Sequence, residues 1–337
     1  MDFLGRLAAR AREARKRIVL PEGTEPRTVQ AAARAAARGI ARITLLGRRD
    51  EILTHARETG TDLGSVEIVP VPHDGPEVDL AVRAYLEQVR RRGVSEPEAR
   101  EHVADPLLWG ALQVAAGRYD GMVAGARSTT AQTLRAALRG IGMRDGVARM
   151  SSFMLMVTPR PEMGDGGLLV FADCGVNPDP SARELAEIAV LTAESAASFL
   201  TVPPRVALLS FSNFGNPPLE RMERVRDAVR ELDSRQVDFE YDGEMQANVA
   251  LDFELMRQLY PFCRLTGAAN VLLMPALHSA AISAKLLQQL GGGTVYGPIL
   301  CGLAHAAQIV QTGATVSEIV TAAALASLGA NAELLSR

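Results

Sequence analysis

Residues Gly117 to Arg135, GRYDGMVAGARSTTAQTLR, bring two arginines, three consecutive hydroxyl residues and a glycine-containing turn into one short stretch. Arginine presents a planar fork of donors matched to phosphate, and the first turn of a helix offers unpaired N–H groups with a partial positive charge. Asp120 to Val123 has the character of a buried strand. Gly125 and Ala126 leave room for a ligand beside the backbone, and Ser128, Thr129 and Thr130 are N-cap candidates for a helix beginning near Thr130. With Arg127 and Arg135 these residues make an anion cradle. An ordinary strand-to-helix junction with solvated arginines accounts for the same residues equally well.

Further candidates lie at the ends of other apolar runs. Leu168 to Phe171 leads into Asp173, and Val206 to Phe211 leads into SFSNFG, which carries Ser210, Ser212 and Asn213. A strand around Phe239 and Tyr241 delivers Asp242 and Glu244 to its end. Hydroxyl and amide groups there can hold a polar ligand or simply close the turn, and carboxylates can do acid–base work or sit in surface turns, the commoner case.

The elements that must position these residues alternate between strand and helix. Arg17 to Leu20, an alanine-rich helix from Pro26 to Arg38, and Ile43 to Leu46 form a βαβ unit, whose parallel strands place ligands beyond their carboxyl ends, near Pro21 to Thr24. A strand near Val66 to Val69 follows, then a helix from Glu77 to Arg92. A further helix has Ser95 and Glu98 as a capping box, and another starts at Asp105 and Pro106. Met150 to Val157 opens a second series of strands. Helices follow Ser181, Pro218 and His278, a strand spans Thr294 to Tyr296, and Gly297-Pro298 marks a crossing back before a last helix from Thr315 to Leu328. The expected fold is α/β, with two three-layer α/β/α domains and an interdomain cleft: residues 1–146 plus 298–337 form the first, and 147–297 the second.

At 337 residues the chain is long enough for two such cores. A net charge of −3 and an aromatic fraction of 4% argue against a nucleic-acid partner. The three cysteines lack a CxxC and the histidines make no HExxH, so neither a disulfide framework nor a metal site is expected. Neither GxGxxG nor a P-loop motif occurs. The start, MDFLGRLAARAREARKR, reads as a surface helix rather than a signal sequence, and no apolar run reaches membrane-spanning length, so a cytoplasmic protein without a membrane partner is expected.

LPEG, GARSTTAQTLR, FADCGVNPDP, SFSNFG, DGEMQ, GAAN and YGPILCGLA follow one another in an order that resembles the phosphate acetyl/butyryl transferase family over nearly the whole chain. The resemblance implies reversible acyl transfer between coenzyme A and phosphate. It also implies acetyl-CoA or another short acyl-CoA as substrate, no prosthetic group, and commonly a homodimer. It assigns Arg135 to an active-site arginine and Ser128, Thr129 and Thr130 to a hydroxyl-rich loop. After GPxxxGLA the family carries a Ser-Arg pair and, further on, an acid that assists thiol deprotonation. Here the pair reads Gln311-Thr312 and the acid position is Glu318. Loss of one transition-state donor costs on the order of 10²–10³ in rate. SNFG, DGEMQ and GAAN look most like the C-terminal acetyltransferase-like domain of NADP-dependent malic enzymes, which implies an alternative role as an acetyl-CoA-sensing module.

Overall fold

The computed structural model describes residues 3–218 and 220–329. Residues 1–2 and 330–337, at the ends of the first expected domain, lie outside the described residues, as does Leu219 in the helix expected after Pro218. The chain divides into two compact units, one running to Ala148 and resuming at Leu303, the other Arg149–Gly302.

The first unit opens with α1 (Phe3–Ala14), β1 (Arg17–Leu20), α2 (Pro26–Ala37), β2 (Arg42–Leu46), α3 (Arg49–Glu58) and β3 (Glu67–Val69). Pro26, with its fixed φ and no N–H to satisfy, starts α2, and Gly39 at φ +66 lets the chain turn after it. α4 (Pro76–Gln88) ends earlier than its periodicity predicts, and the basic run Arg90–Arg92 forms a separate 3-10 turn. α5 (Glu96–Val103) lacks the expected capping box: Ser95 makes no side-chain cap bond, and Glu98 lies 3.9 Å from His102. Asp105 caps α6 (Pro106–Ala115) by accepting from the N–H groups of Leu107 at 2.7 Å and Leu108 at 3.3 Å. β4 (Gly121–Ala124) then leads into α7 (Thr130–Gly140), where Thr129 and Gln132 close a reciprocal capping box.

The second unit contains β5 (Ser151–Val157), β6 (Leu168–Ala172), α8 (Ala182–Ala196), β7 (Arg205–Leu209), α9 (Glu220–Asp233), β8 (Glu240–Met245), α10 (Ala247–Leu251), α11 (Phe253–Leu259), β9 (Val271–Leu273), α12 (Leu277–Leu290) and β10 (Thr294–Cys301). Its strands run in the order β10-β5-β6-β9-β7-β8, with β10, β5 and β6 antiparallel neighbours and β6, β9, β7 and β8 parallel. α8 and α9 pack together against the strands. Phe171, Ala207, Leu272 and Met245 join Val249, Met256, Ala280 and Ala284 of α10, α11 and α12 in a buried cluster. Two sequence readings need correction. β8 continues to Met245, so Asp242 and Glu244 lie within it rather than beyond its end. β10 continues past Tyr296, because Ile299, Leu300 and Cys301 pair with Phe153, Ser152 and Ser151 after a bulge. The return therefore comes after Gly302, some residues beyond Gly297-Pro298.

β11 (Ala306–Ile309) and α13 (Val316–Gly329) complete the first unit. Its five strands run β3-β2-β1-β4-β11, all parallel. α13 packs on α1, α2, β4 and β11, while α4, α5, α6 and α7 form a second helical group in contact with β1 and β4. α1 is less of a surface helix than its arginines suggest: Phe3, Leu7 and Ala11, at helical spacing, are buried.

Candidate active site

In a parallel sheet the loops after adjacent strands meet at the carboxyl edge. In the first unit three such loops come together: Pro21–Glu25 after β1, Gly125–Thr129 after β4, and Val310–Thr315 after β11. Two charged side chains tie them. Glu22, 8% exposed, takes the N–H groups of Gly125 and Ala126 on Oε2 at 2.8 and 2.7 Å, and those of Arg127 and Ser128 on Oε1 at 3.1 and 2.7 Å. Arg27 donates from Nη2 to the Ala126 carbonyl at 2.8 Å and from Nη1 to the carbonyls of Thr312 and Ala314 at 2.9 Å. Its Nε meets Glu25 Oε1 at 2.7 Å.

The backbone donors that could have cradled a ligand phosphate at 125–128 are thus already occupied by a carboxylate of the chain itself. Binding capacity falls instead to side chains. A cavity of about 560 Å3, within the range of small-molecule sites, is lined by Arg127, Ser128, Gln132, Arg135 and Arg139, with Tyr85, His102 and Asp105 also on its wall. Tyr85 Oη and His102 Nδ1 are 3.0 Å apart. Arg127, Arg135 and Arg139 form no side-chain hydrogen bond or ion pair with any described residue, and the Arg139 Nε is buried without a partner.

Of the predicted site residues, Arg127, Ser128 and Arg135 line this cavity. Thr129 is committed to capping α7, and Thr130 is the exposed first residue of that helix. Gln311 and Thr312 are exposed on the loop after β11, and Arg27 holds the Thr312 carbonyl. Glu318 stands in the first turn of α13, where its Oε2 accepts from the Thr315 N–H at 2.7 Å and the Thr315 hydroxyl at 2.9 Å. A carboxylate used in this way is a helix cap first, and its second oxygen is what remains for proton transfer.

In the second unit the predicted residues fall into three groups by partner. Asp173 accepts from the Ser152 hydroxyl at 2.7 Å and from backbone N–H groups of Gly175 and Asn177 at 3.0 and 2.8 Å. Asp242 accepts from the Arg264 N–H at 2.8 Å. Glu244, fully buried, accepts from the Ser212 hydroxyl at 2.7 Å and the Gly215 N–H at 2.9 Å, with Arg226 Nε 3.8 Å away. Ser210 and Ser212 oxygens lie 3.2 Å apart, and Asn213 Oδ1 takes the Gln246 N–H at 2.8 Å. All three carboxylates hold their own loops in shape. Burial pushes the Cys174 thiol up and Cys263 to about 11, which keeps both protonated near neutrality.

Sequence reasoning missed the roles of Glu22 and Arg27, whose partners lie far along the chain. Arg139 was within reach: it follows Arg135 at i+4, one turn on along the same helical face.

The sequence profile of the phosphate acetyl/butaryl transferase family matches residues 2–327. The chain belongs to this family. A phosphate acetyltransferase of Treponema pallidum (strain Nichols) is 38% identical over 335 residues, which are 98% of this chain and 99% of that protein. The crystal structure of a phosphotransacetylase from Streptococcus pyogenes is 33% identical, with a TM-score of 0.88 over 97% of this chain and 98% of that one. An NADP-dependent malic enzyme of Rhizobium meliloti (strain 1021) is 40% identical over 332 residues, 97% of this chain but 42% of that longer protein. For a phosphate acetyl/butaryl transferase, cationic side chains free of internal partners are the feature that an anionic substrate requires.

The turn that carries Arg127 and leads into α7 tolerates no side chain at Gly125. A Cβ there would sit 2.1 Å from the Val310 carbonyl oxygen, at φ +116. Gly125→Ala is expected to lower the unfolding free energy by about 3 kcal/mol, through combined backbone strain and separation of the β4 and β11 loops. Thermal unfolding checks this, and a midpoint equal to wild type would show that the turn is not tightly packed.

Proposed function

We propose that this chain is a phosphate acetyltransferase, moving an acetyl group between coenzyme A and inorganic phosphate. The observation that carries the reading is the set of guanidinium groups of Arg127, Arg135 and Arg139 lining one cavity, unpaired among the described residues, in a chain of this family. In the forward direction a phosphate oxygen attacks the acetyl carbonyl carbon of acetyl-CoA. The tetrahedral intermediate collapses with loss of the CoA thiolate, which then takes up a proton. In reverse, a deprotonated CoA thiol attacks acetyl phosphate and phosphate leaves. Arg135 and Arg127 hold the anionic reactants, Ser128 and Thr130 supply hydroxyl donors, and Glu318 is the acid position for moving the thiol proton. Ser210, Ser212, Asn213, Gln311 and Thr312 are further ligand-contact candidates, while Asp173, Asp242 and Glu244 support the loops that bear some of them. The family resemblance extends this reading to a cytoplasmic homodimer and leaves room for another short acyl-CoA as substrate.

Release of CoA thiol from acetyl-CoA by the purified protein, with and without phosphate, tests the function. Phosphate-dependent turnover in the ordinary enzymatic range, roughly 1 to 10³ per second, is expected. Its absence under saturating substrates rejects the assignment.

A second reading, an acetyl-CoA-sensing module, is favoured by one observation: Gln311-Thr312 stands where the resemblance expects Ser-Arg. Thr312→Arg separates the two. In a transferase that works without this arginine, the substitution leaves the rate within an order of magnitude. In a sensing module descended from a catalyst, it raises a negligible rate by about 10²-fold or more.

A further inference from the structure

We propose that Arg139 is a recognition residue for a dianionic phosphate group, held in the cavity of the first unit. The inference rests on the transferase reading above and adds to it a residue and a ligand charge state. Arg135 and Arg139 are one turn apart on α7, and both line the cavity. Several arginines of the unit are used internally, among them Arg17 by Asp120, Arg27 by Glu25 and three carbonyls, and Arg100 by Asp79 and Glu96. Arg139 has no such partner among the described residues, and its Nε is buried. Three acids line the cavity and none pairs with Arg139: the Glu22 carboxylate is taken by four N–H groups, Asp105 caps α6, and Glu101 is exposed.

A guanidinium that lines a cavity without an acceptor is strongly favoured once an anion arrives, because a charge-assisted hydrogen bond replaces incomplete hydration. The paired Nη1–H and Nη2–H groups at the end of the guanidinium form a fork that meets two oxygens of one phosphate, while the buried Nε stays against the protein. A terminal phosphate, with about −1.5 to −2 charge near neutrality and three equivalent oxygens, satisfies that fork beside a second arginine better than a singly charged diester phosphate does. Two kinds of group involved in the proposed reaction have this chemistry: the reacting phosphate, as inorganic phosphate or acetyl phosphate, and the ribose 3′-phosphate of coenzyme A.

The test uses the full chain with Arg139→Gln and Arg139→Lys, and Arg183→Gln, an exposed arginine of the second unit, as a surface-charge control. Turnover is measured against acetyl-CoA, 3′-dephospho-acetyl-CoA and phosphate. Calorimetric binding of CoA, 3′-dephospho-CoA and inorganic phosphate is measured alongside thermal midpoints. Arg139→Gln is expected to raise KM and Kd for one ligand by about tenfold to a hundredfold, with kcat little changed, and Arg139→Lys to recover part of the loss. Weakening of CoA with 3′-dephospho-CoA unaffected assigns the ribose phosphate, and weakening of phosphate alone assigns the inorganic ion. Unchanged constants, or an equal loss for every ligand with a lowered midpoint, overturn the proposal. Wild-type binding without turnover would reject the transferase function and leave the calorimetric comparison to judge Arg139 on its own.

Discussion

Glu22→Ala is expected to cost about 3–5 kcal/mol of stability and to abolish phosphate-dependent thiol release, because it leaves four backbone donors without their acceptor, those of Gly125 and Ala126 buried. The geometry makes the subtler Glu22→Gln informative too. Each carboxylate oxygen takes two N–H groups, and an amide can offer only one oxygen, so its NH2 would face two donors. Glutamine should therefore recover little of the loss, unlike its behaviour at an exposed glutamate. Urea or thermal denaturation reads both variants. Wild-type stability in Glu22→Ala would mean that water replaces the carboxylate at no cost, and that the loop after β4 is held by Arg27 alone.

Arg135→Ala should do the opposite: a loss on the order of 10²–10³ in kcat/KM for phosphate-dependent turnover, with stability within about 0.5 kcal/mol of wild type. The side chain is exposed and makes no hydrogen bond or ion pair with a described residue, so its removal breaks none of these, and it separates two neighbouring positive charges. Arg135→Lys should restore some activity by charge but not all, since a point charge lacks the two-donor fork. Turnover unchanged in Arg135→Ala would move the anion site out of this cavity. The pair of variants separates the frame of the site from its chemistry, with the frame resting on a carboxylate that binds backbone and the chemistry on cations that pair with no described residue.

Much of this architecture is legible in one dimension. Apolar periodicity, proline at helix starts and glycine after helix ends place β1, α2, α6 and α7 within a residue or two, because those signals act over a single turn of chain. Ser181 and Glu184 form the capping box that opens α8, from a serine already legible as a cap. The motif order, taken together, carries the family. Where local signals mislead, a neighbour overrides them: β8 extends through Asp242 and Glu244 because β7 supplies a pairing edge, and Ser95 does not cap α5 although its spacing to Glu98 allows it.

The sequence by itself determined the alternating α/β order, the family and a concentration of arginines and hydroxyls after β4. Tertiary structure alone decided which of those groups are free. A carboxylate at position 22 and a guanidinium at position 27 meet partners more than a hundred residues away in some cases, and no spacing rule reports such pairings. Those contacts consume the backbone donors that the loop offered and leave the guanidinium groups of Arg127, Arg135 and Arg139 unspent. Whether a charged side chain supports the fold or awaits a ligand depends on what lies within hydrogen-bond distance, and that is set by packing between segments, which local residue patterns do not encode.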